Sequence, residues 1–199
     1  GLPLQTGGID PYVRSIFEDR DGSVWVGTFT GGLYRLRDGM FSTITPAEGL
    51  GGHFVRSMLR ASDGSLWVAT YGDGITRLHG GTLTHFDVRS GLTSNLVFSV
   101  VQDHQGRIWA GLDSGLMYFE RGRWHQFSDS RLAQGQVRSL FVDRNGALWV
   151  GTMGGGVSEV RGLEVRSYNH ASGLVNDVIR GGIKQGPDGS IWIGTEGGL

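Results

Sequence analysis

Arginine is the residue type through which this chain is best equipped to bind something. Seventeen of its eighteen basic residues are arginine and Lys184 is the lone lysine, a bias that reflects a GC-rich genome more than a phosphate-binding device, so position and not number is what matters. Arg14, Arg56 and Arg138 each stand in the middle of a Val-Arg-Ser triad. Two further stretches of the same kind carry Phe98 and Ile179 there, the latter followed by Arg180. A guanidinium fork donates two parallel hydrogen bonds to a carboxylate or sulfate. Brought together, these arginines would take an acidic oligosaccharide or another small anion, with Phe98 as an apolar interruption; held apart, each would pair with an acid or carbonyl of its own segment. Tyr71, Asp73, Asp113 and Glu196 sit in short variable stretches between better-repeated flanks and join the candidate ligand-binding set.

Other chemistry is poorly supported. Asp19, Asp21, Asp63, Asp103, Asp143 and Asp188 have the look of calcium loops, but such loops need several converging carboxylates and a terminal glutamate. Each aspartate stands in a glycine-bearing turn, where its usual role is to accept hydrogen bonds from nearby backbone. The six histidines lack H-E-x-x-H spacing, and neither a G-x-S-x-G elbow nor a phosphate-binding P-loop occurs. The expectation is a non-enzymatic segment with no cofactor and no metal. There is no cysteine, so disulfides and thiolate metal sites are excluded. The formal charge of −1 gives no electrostatic footprint for nucleic acid or an anionic membrane surface.

The elements that must position these residues follow from a repeat. Asp21–Thr28, Asp63–Thr70, Gln105–Leu112, Asn145–Thr152 and Asp188–Thr195 align without gaps, at spacings of 42, 42, 40 and 43 residues. That period fits a four-stranded propeller blade. In the first unit the strands fall at Val13–Glu18, Ser23–Thr28, Leu33–Arg37 and Phe41–Ile44, separated by Asp-Gly and Gly-Gly hairpin signals. The fold class is therefore all-β, a β-propeller with blades over 13–45, 55–88, 97–128, 137–169 and a partial one over 178–199. Strand one carries apolar residues on both faces and is expected to be buried on both sides. Trp25, Trp67, Trp109, Trp149 and Trp192 recur at one place and are expected to wedge between blades. Thirty-six glycines suit the many tight turns. Gly49-Leu50, Gly91-Leu92 and Gly173-Leu174 mark blade boundaries, with Arg131-Leu132 as the variant. In a propeller, the loop into strand one and the loop between strands two and three share the face around the channel mouth. That places the arginines there, beside Phe29, Tyr71, Asp113, Met153 and Glu196, with His53, Asn95 and Asn176 in the loops leading into strand one. The opening stretch from Pro3 to Tyr12 is long enough to lie across the mouth.

Val13-Arg14-Ser15-Ile16 followed by Asp21-Gly22-Ser23-Val24-Trp25-Val26-Gly27-Thr28 resembles the repeat of the two-component regulator propeller family almost position by position. The resemblance covers nearly the whole chain. It implies the sensing part of a bacterial receptor, on the periplasmic or extracellular face of the inner membrane. Its partners would be a small-molecule or oligosaccharide ligand and the rest of the receptor: further blades, a membrane helix and a histidine kinase or diguanylate cyclase, with a homodimer formed through the full receptor. The fifth unit stops at Gly197-Gly198-Leu199 and its opening is longer than the others, so the chain reads as a fragment of a larger ring. A protein-binding scaffold is the alternative function. Ile191-Trp192-Ile193-Gly194-Thr195-Glu196 faintly resembles a streptogramin lyase string, but no histidine recurs beside it to act as a base.

Overall fold

The computed structural model describes Asp10 and Tyr12–Leu199. Apart from Asp10 and Tyr12, the opening stretch suggested to cross the mouth lies outside the described residues. Four antiparallel four-stranded sheets and one two-stranded sheet follow one another. The first contains β1 (Val13–Glu18), β2 (Val24–Thr28), β3 (Leu33–Arg37) and β4 (Met40–Ile44), within one residue of the strands expected from sequence. The second contains β5 (Val55–Arg60), β6 (Leu66–Thr70), β7 (Gly74–His79) and β8 (Thr82–Phe86). The third holds β9 (Val97–Gln102), β10 (Ile108–Leu112), β11 (Gly115–Glu120) and β12 (Arg123–Phe127). The fourth holds β13 (Val137–Val142), β14 (Leu148–Thr152), β15 (Val157–Arg161) and β16 (Glu164–Tyr168). The last pairs β17 (Ile179–Gln185) with β18 (Ile191–Thr195). Every four-stranded sheet is a sequential meander, as expected of propeller blades. Among the described residues no helix is long and apolar enough to cross a membrane.

Two compact units divide the chain, residues 1–100 and 101–199. In the first, Trp25 packs with Leu33 and Ile44 of its own sheet and with Val55, Leu66 and Val68 of the next. In the second, Trp109 does the same with Leu132, Val137, Leu148 and Val150. These are the expected wedges. Trp192 differs: it lies on the two-stranded β17–β18 sheet and is 54% exposed. β1 also departs from expectation, with Val13 and Ile16 exposed, whereas Val97, Phe98 and Val100 of β9 are buried. β1 packs toward β5.

Between sheets the chain makes a single 3-10 turn at Pro46–Glu48, Val88–Ser90 and His170–Ser172. Thr45, Asp87 and Asn169 cap these turns, and Gly49, Gly91 and Gly173 close them at φ of 102, 107 and 102°. Only glycine holds that left-handed conformation without a Cβ penalty. The next residue, Leu50 or Leu92, is then buried. So the Gly-Leu signature has a mechanical reading: the glycine ends the turn and the leucine re-enters the core.

The aspartates of the first hairpin turn have the structural role expected of them, and they also hold the tryptophans. Oδ2 of Asp19 accepts from Trp25 Nε1 at 2.9 Å, and its Oδ1 accepts from the amides of Asp21 and Ser23. Asp103 with Trp109 (2.7 Å) and Asp143 with Trp149 (3.1 Å) repeat the arrangement. The second unit has Ala61, and the fifth Gly186, where the other three have this aspartate. Asp63 instead accepts from Ser65 Oγ, and Ser65 Oγ accepts from Trp67 Nε1 at 2.8 Å. Either way the indole N–H, which would otherwise be buried unpaired, finds an acceptor.

Candidate functional site

In every unit except the third, the residue after strand two donates its amide to the carbonyl of the residue before strand one: Phe29 to Tyr12, Tyr71 to Phe54, Met153 to Gln136 and Glu196 to Val178. This pairing brings side chains distant in sequence onto one edge of each sheet. In residues 1–100 those side chains are aromatic. Tyr12, Phe29, Phe54, Tyr71 and Phe98 form a continuous file, with ring centroids 6.4, 4.1, 5.3 and 5.8 Å apart. The contacts are edge-on or tilted, the arrangement favoured by the ring quadrupole.

Two predicted arginines lie along this file. The guanidinium of Arg14 lies 5.4 Å from the Phe29 ring and 5.9 Å from Phe54. That of Arg56 lies 5.5 Å from Phe54 and 5.6 Å from Phe98. These distances are within the reach of cation–π attraction. The result is a ladder of rings and guanidinium planes. Tyr12, Arg14, Phe29 and Tyr71 are exposed along it, and Phe98 is buried at its end. The exposed rings can pack against a sugar or another planar group, and a guanidinium is a paired donor suited to an anion.

The turns bearing these groups are firmly held. Thr70 Oγ1 donates to Gly74 O, and the amides of Gly72 and Gly74 both donate to Asn95 O. The Asp10 carboxylate accepts from the Thr30 hydroxyl and amide and from the Tyr12 amide, and the Thr30 hydroxyl leads in holding its pKa below the ordinary value. Asp73 is exposed on the Tyr71 turn, where a Cβ on Gly52 would lie only 2.0 Å from its Oδ2.

The other predicted residues lie in residues 101–199. Nε and Nη2 of Arg138 both donate to Oε1 of Gln136, at 3.1 and 2.5 Å. Arg180 forms an ion pair with Glu196 at 2.6 Å, so two predicted site residues meet each other there. Asp113 occupies the tight turn between β10 and β11. Arg14, Arg56, Phe98 and Tyr71 are thus brought together, and the arginines of the two halves are engaged in different ways. Phe54 belongs to this file of rings, and the sequence reading did not single it out. Its signal was available: it precedes strand one as Tyr12 does. Among the described residues no three His, Asp or Glu side chains are grouped to hold a metal ion.

The profile of the two-component regulator propeller family matches residues 7–30, 49–72, 91–114, 131–154 and 173–197. Among solved structures, the chain is similar to the extracellular domain of a hybrid two-component system from B. thetaiotaomicron. There the TM-score is 0.83 at 24% identity, covering 94% of this chain and 27% of that one. Virginiamycin B lyase from Staphylococcus aureus superposes with a TM-score of 0.73 at 15% identity, over 100% of this chain and 71% of that one. PorZ of Porphyromonas gingivalis, a bacterial surface component of the type-IX secretion system, gives 0.73 at 17% identity, over 97% and 32%. At these identities the likeness shows the propeller fold. No curated protein matches.

Proposed function

The chain belongs to the two-component regulator propeller family, and on that premise we propose that it is a non-enzymatic ligand-recognition segment of an extracytoplasmic receptor. Its ligand is an acidic oligosaccharide laid along the Tyr12–Phe98 ladder. The observation that carries this reading is the alternation of rings with Arg14 and Arg56. Sugar faces stack on the rings while carboxylates meet the guanidinium forks. Signalling follows if the ligand binds one arrangement of the receptor better than another. The chain spans 27% of the length of the hybrid-system extracellular domain it resembles, so further blades and an output module belong to this proposal.

Calorimetric titration of the intact receptor ectodomain with oligogalacturonate tests the reading. Arg56→Ala is expected to weaken binding by about tenfold or more, the worth of a charge-assisted hydrogen bond. Arg56→Lys, which keeps the charge but loses the fork and the stacking, is expected to lose most of that as well. No binding by the wild type, or unchanged affinity in the Arg14→Ala/Arg56→Ala double variant, would reject it. Release of shortened sugar fragments would reject its non-enzymatic part.

The exposed rings of Tyr12, Phe29 and Tyr71 support a second reading, a face for a protein partner. In that case Tyr71→Ala weakens the complex, and Arg56→Lys leaves it nearly intact.

A further inference from the structure

The chain contains Asp21-Gly22, Asp38-Gly39, Asp63-Gly64, Asp73-Gly74, Asn145-Gly146 and Asp188-Gly189. Such a pair can modify itself. The glycine amide nitrogen attacks the side-chain carbonyl carbon of the residue before it, and glycine has no Cβ to obstruct the approach. A carboxamide is a better electrophile than an ionised carboxylate. Sequence alone would therefore rank the Asp-Gly pairs equal and place Asn145-Gly146 ahead of them.

The fold imposes a different ranking. The attacking amide is tied to a backbone carbonyl at Gly22 (to Asp19), Gly64 (to Ala61), Gly74 (to Asn95), Gly146 (to Asp143) and Gly189 (to Gly186), at 2.9–3.1 Å. Attack at any of these requires that bond to break and the turn to open. Asn145 is held further. Its own amide donates to Asp143 Oδ1 at 2.9 Å, and a Cβ on Gly146 would lie 3.0 Å from His104 Nδ1. At Asp63 and Asp188 the carboxylate is held as well, because each Oδ1 accepts from the amide and hydroxyl of the serine two residues on.

Asp38-Gly39 is the exception. It makes the two-residue turn between β3 and β4, closed by the pairing of Arg37 with Met40. No described residue accepts a hydrogen bond from the Gly39 amide. The Asp38 side chain is 90% exposed and meets the exposed Arg37 guanidinium at 3.5 Å, a pair too loose to fix it. Nothing lies within 4 Å of a Cβ built on Gly39, so the turn has room to rotate. Asp38 also has φ of 51°, in the left-handed region that a Cβ makes unfavourable. Exposure by itself does not single it out, since Asp21, Asn145 and Asp188 are exposed too. The free amide does.

We infer that Asp38-Gly39 is a self-modification site, where the folded protein isomerises to isoaspartate. The Gly39 nitrogen gives up its proton to water and bonds to Cγ of the protonated Asp38 carboxyl. The C–OH bond breaks and water leaves, giving a cyclic imide. Water then opens the imide at either carbonyl, restoring aspartate or leaving isoaspartate, whose main chain runs through the side-chain carbon. One water is lost and one regained, with no oxidation or reduction. The turn lies at the end of its sheet opposite the β2–β3 turn that bears Phe29, and the inference uses none of the ladder residues.

Peptide mapping of the intact ectodomain, aged in mildly acidic buffer, tests the inference. Electron-transfer fragmentation distinguishes isoaspartate from aspartate. Isoaspartate is expected to accumulate at position 38 about tenfold or more faster than at Asp21, Asp63, Asp73 or Asp188, the cost of opening a hydrogen-bonded turn. Ageing in urea should bring these rates together. A matched comparison removes the difference in electrophile: at neutral pH, Asp38→Asn should lose ammonia about tenfold or more faster than Asn145 does in the same molecule. Asp38→Glu, which would have to close a larger ring, should leave this turn unmodified. Comparable isoaspartate at all the Asp-Gly pairs of the folded protein, its absence at position 38, or equal ammonia loss at the two asparagines of Asp38→Asn would overturn the inference.

Discussion

Gly156→Ala is expected to destabilise the protein by about 3 kcal/mol, the sum of a left-handed backbone forced on alanine and an overpacked turn. Gly156 has φ of +85°, and an added Cβ would lie 2.2 Å from the carbonyl oxygen of Tyr168. The obstacle is backbone, so no rotamer change relieves it. Gly74 repeats the geometry, with φ of +79° and the Phe86 carbonyl oxygen at 2.1 Å, and the same loss is expected there. For a chain of this length the melting temperature should fall by roughly 6–12 °C. Gly162→Ala is the control: φ is +60°, but nothing lies within 4 Å of the added atom. Equal losses in Gly156→Ala and Gly162→Ala would show that the close approach contributes nothing. The amides of Gly154 and Gly156 both donate to Asp177 O and hold this turn in place.

Asp143→Ala should cost about 2–4 kcal/mol at neutral pH, because it strips a buried acceptor from three donors at once. Those donors are the Trp149 indole at 3.1 Å and the amides of Asn145 and Ala147 at 2.9 Å each. Asp143→Asn retains one carbonyl oxygen and is expected to fall between. The carboxylate also makes the loss dependent on pH. Burial pushes the Asp143 pKa up, but hydrogen bonds from the Trp149 indole and the Ala147 and Asn145 amides outweigh it, leaving the folded value below 3.8. Asp19 is lowered in the same way by Trp25, Ser23 and Asp21. A depressed folded pKa stabilises the fold above the unfolded value and loses that contribution as pH falls through the folded one. Wild-type stability should therefore decline below about pH 4, the ordinary carboxylate range. The difference between wild type and Asp143→Ala should narrow over the same range. Urea unfolding at pH 7 and pH 3 would show it, and a constant difference would mean that the ionised form has no special role.

Much of the architecture was legible because each blade repeats its own instructions. The alternation within Val24–Thr28, the Asp-Gly turn before it and the Gly-Leu pair after the first, second and fourth units are local signals, and the strands of the first unit form within a residue of where those signals place them. The aspartates were legible as turn residues for the same reason. Their second task was not: Asp19 and Trp25 are six residues apart, and only the hairpin's register aims one at the other. The repeated glycine after the tryptophan was equally opaque. A Cβ on Gly27 would lie 2.4 Å from Val55 Cγ1, and one on Gly111 would lie 2.6 Å from Val137 Cγ1. Those contacts belong to the next blade, not to the glycine's own hairpin.

The candidate sites divide along the same line. The sequence by itself determined the propeller, the family and the recurrence of Arg14, Arg56 and Arg138, because hydrophobic period, turn chemistry and repeat spacing are properties of a chain read in order. Tertiary structure decided what those arginines do. Arg14 and Arg56 stack against a file of rings that includes the unforeseen Phe54, while Arg138 turns to Gln136 and Arg180 to Glu196. The physical reason is that a side chain's partner is set by which blade edges come within a few ångströms of each other, and that distance depends on packing between segments about forty residues apart.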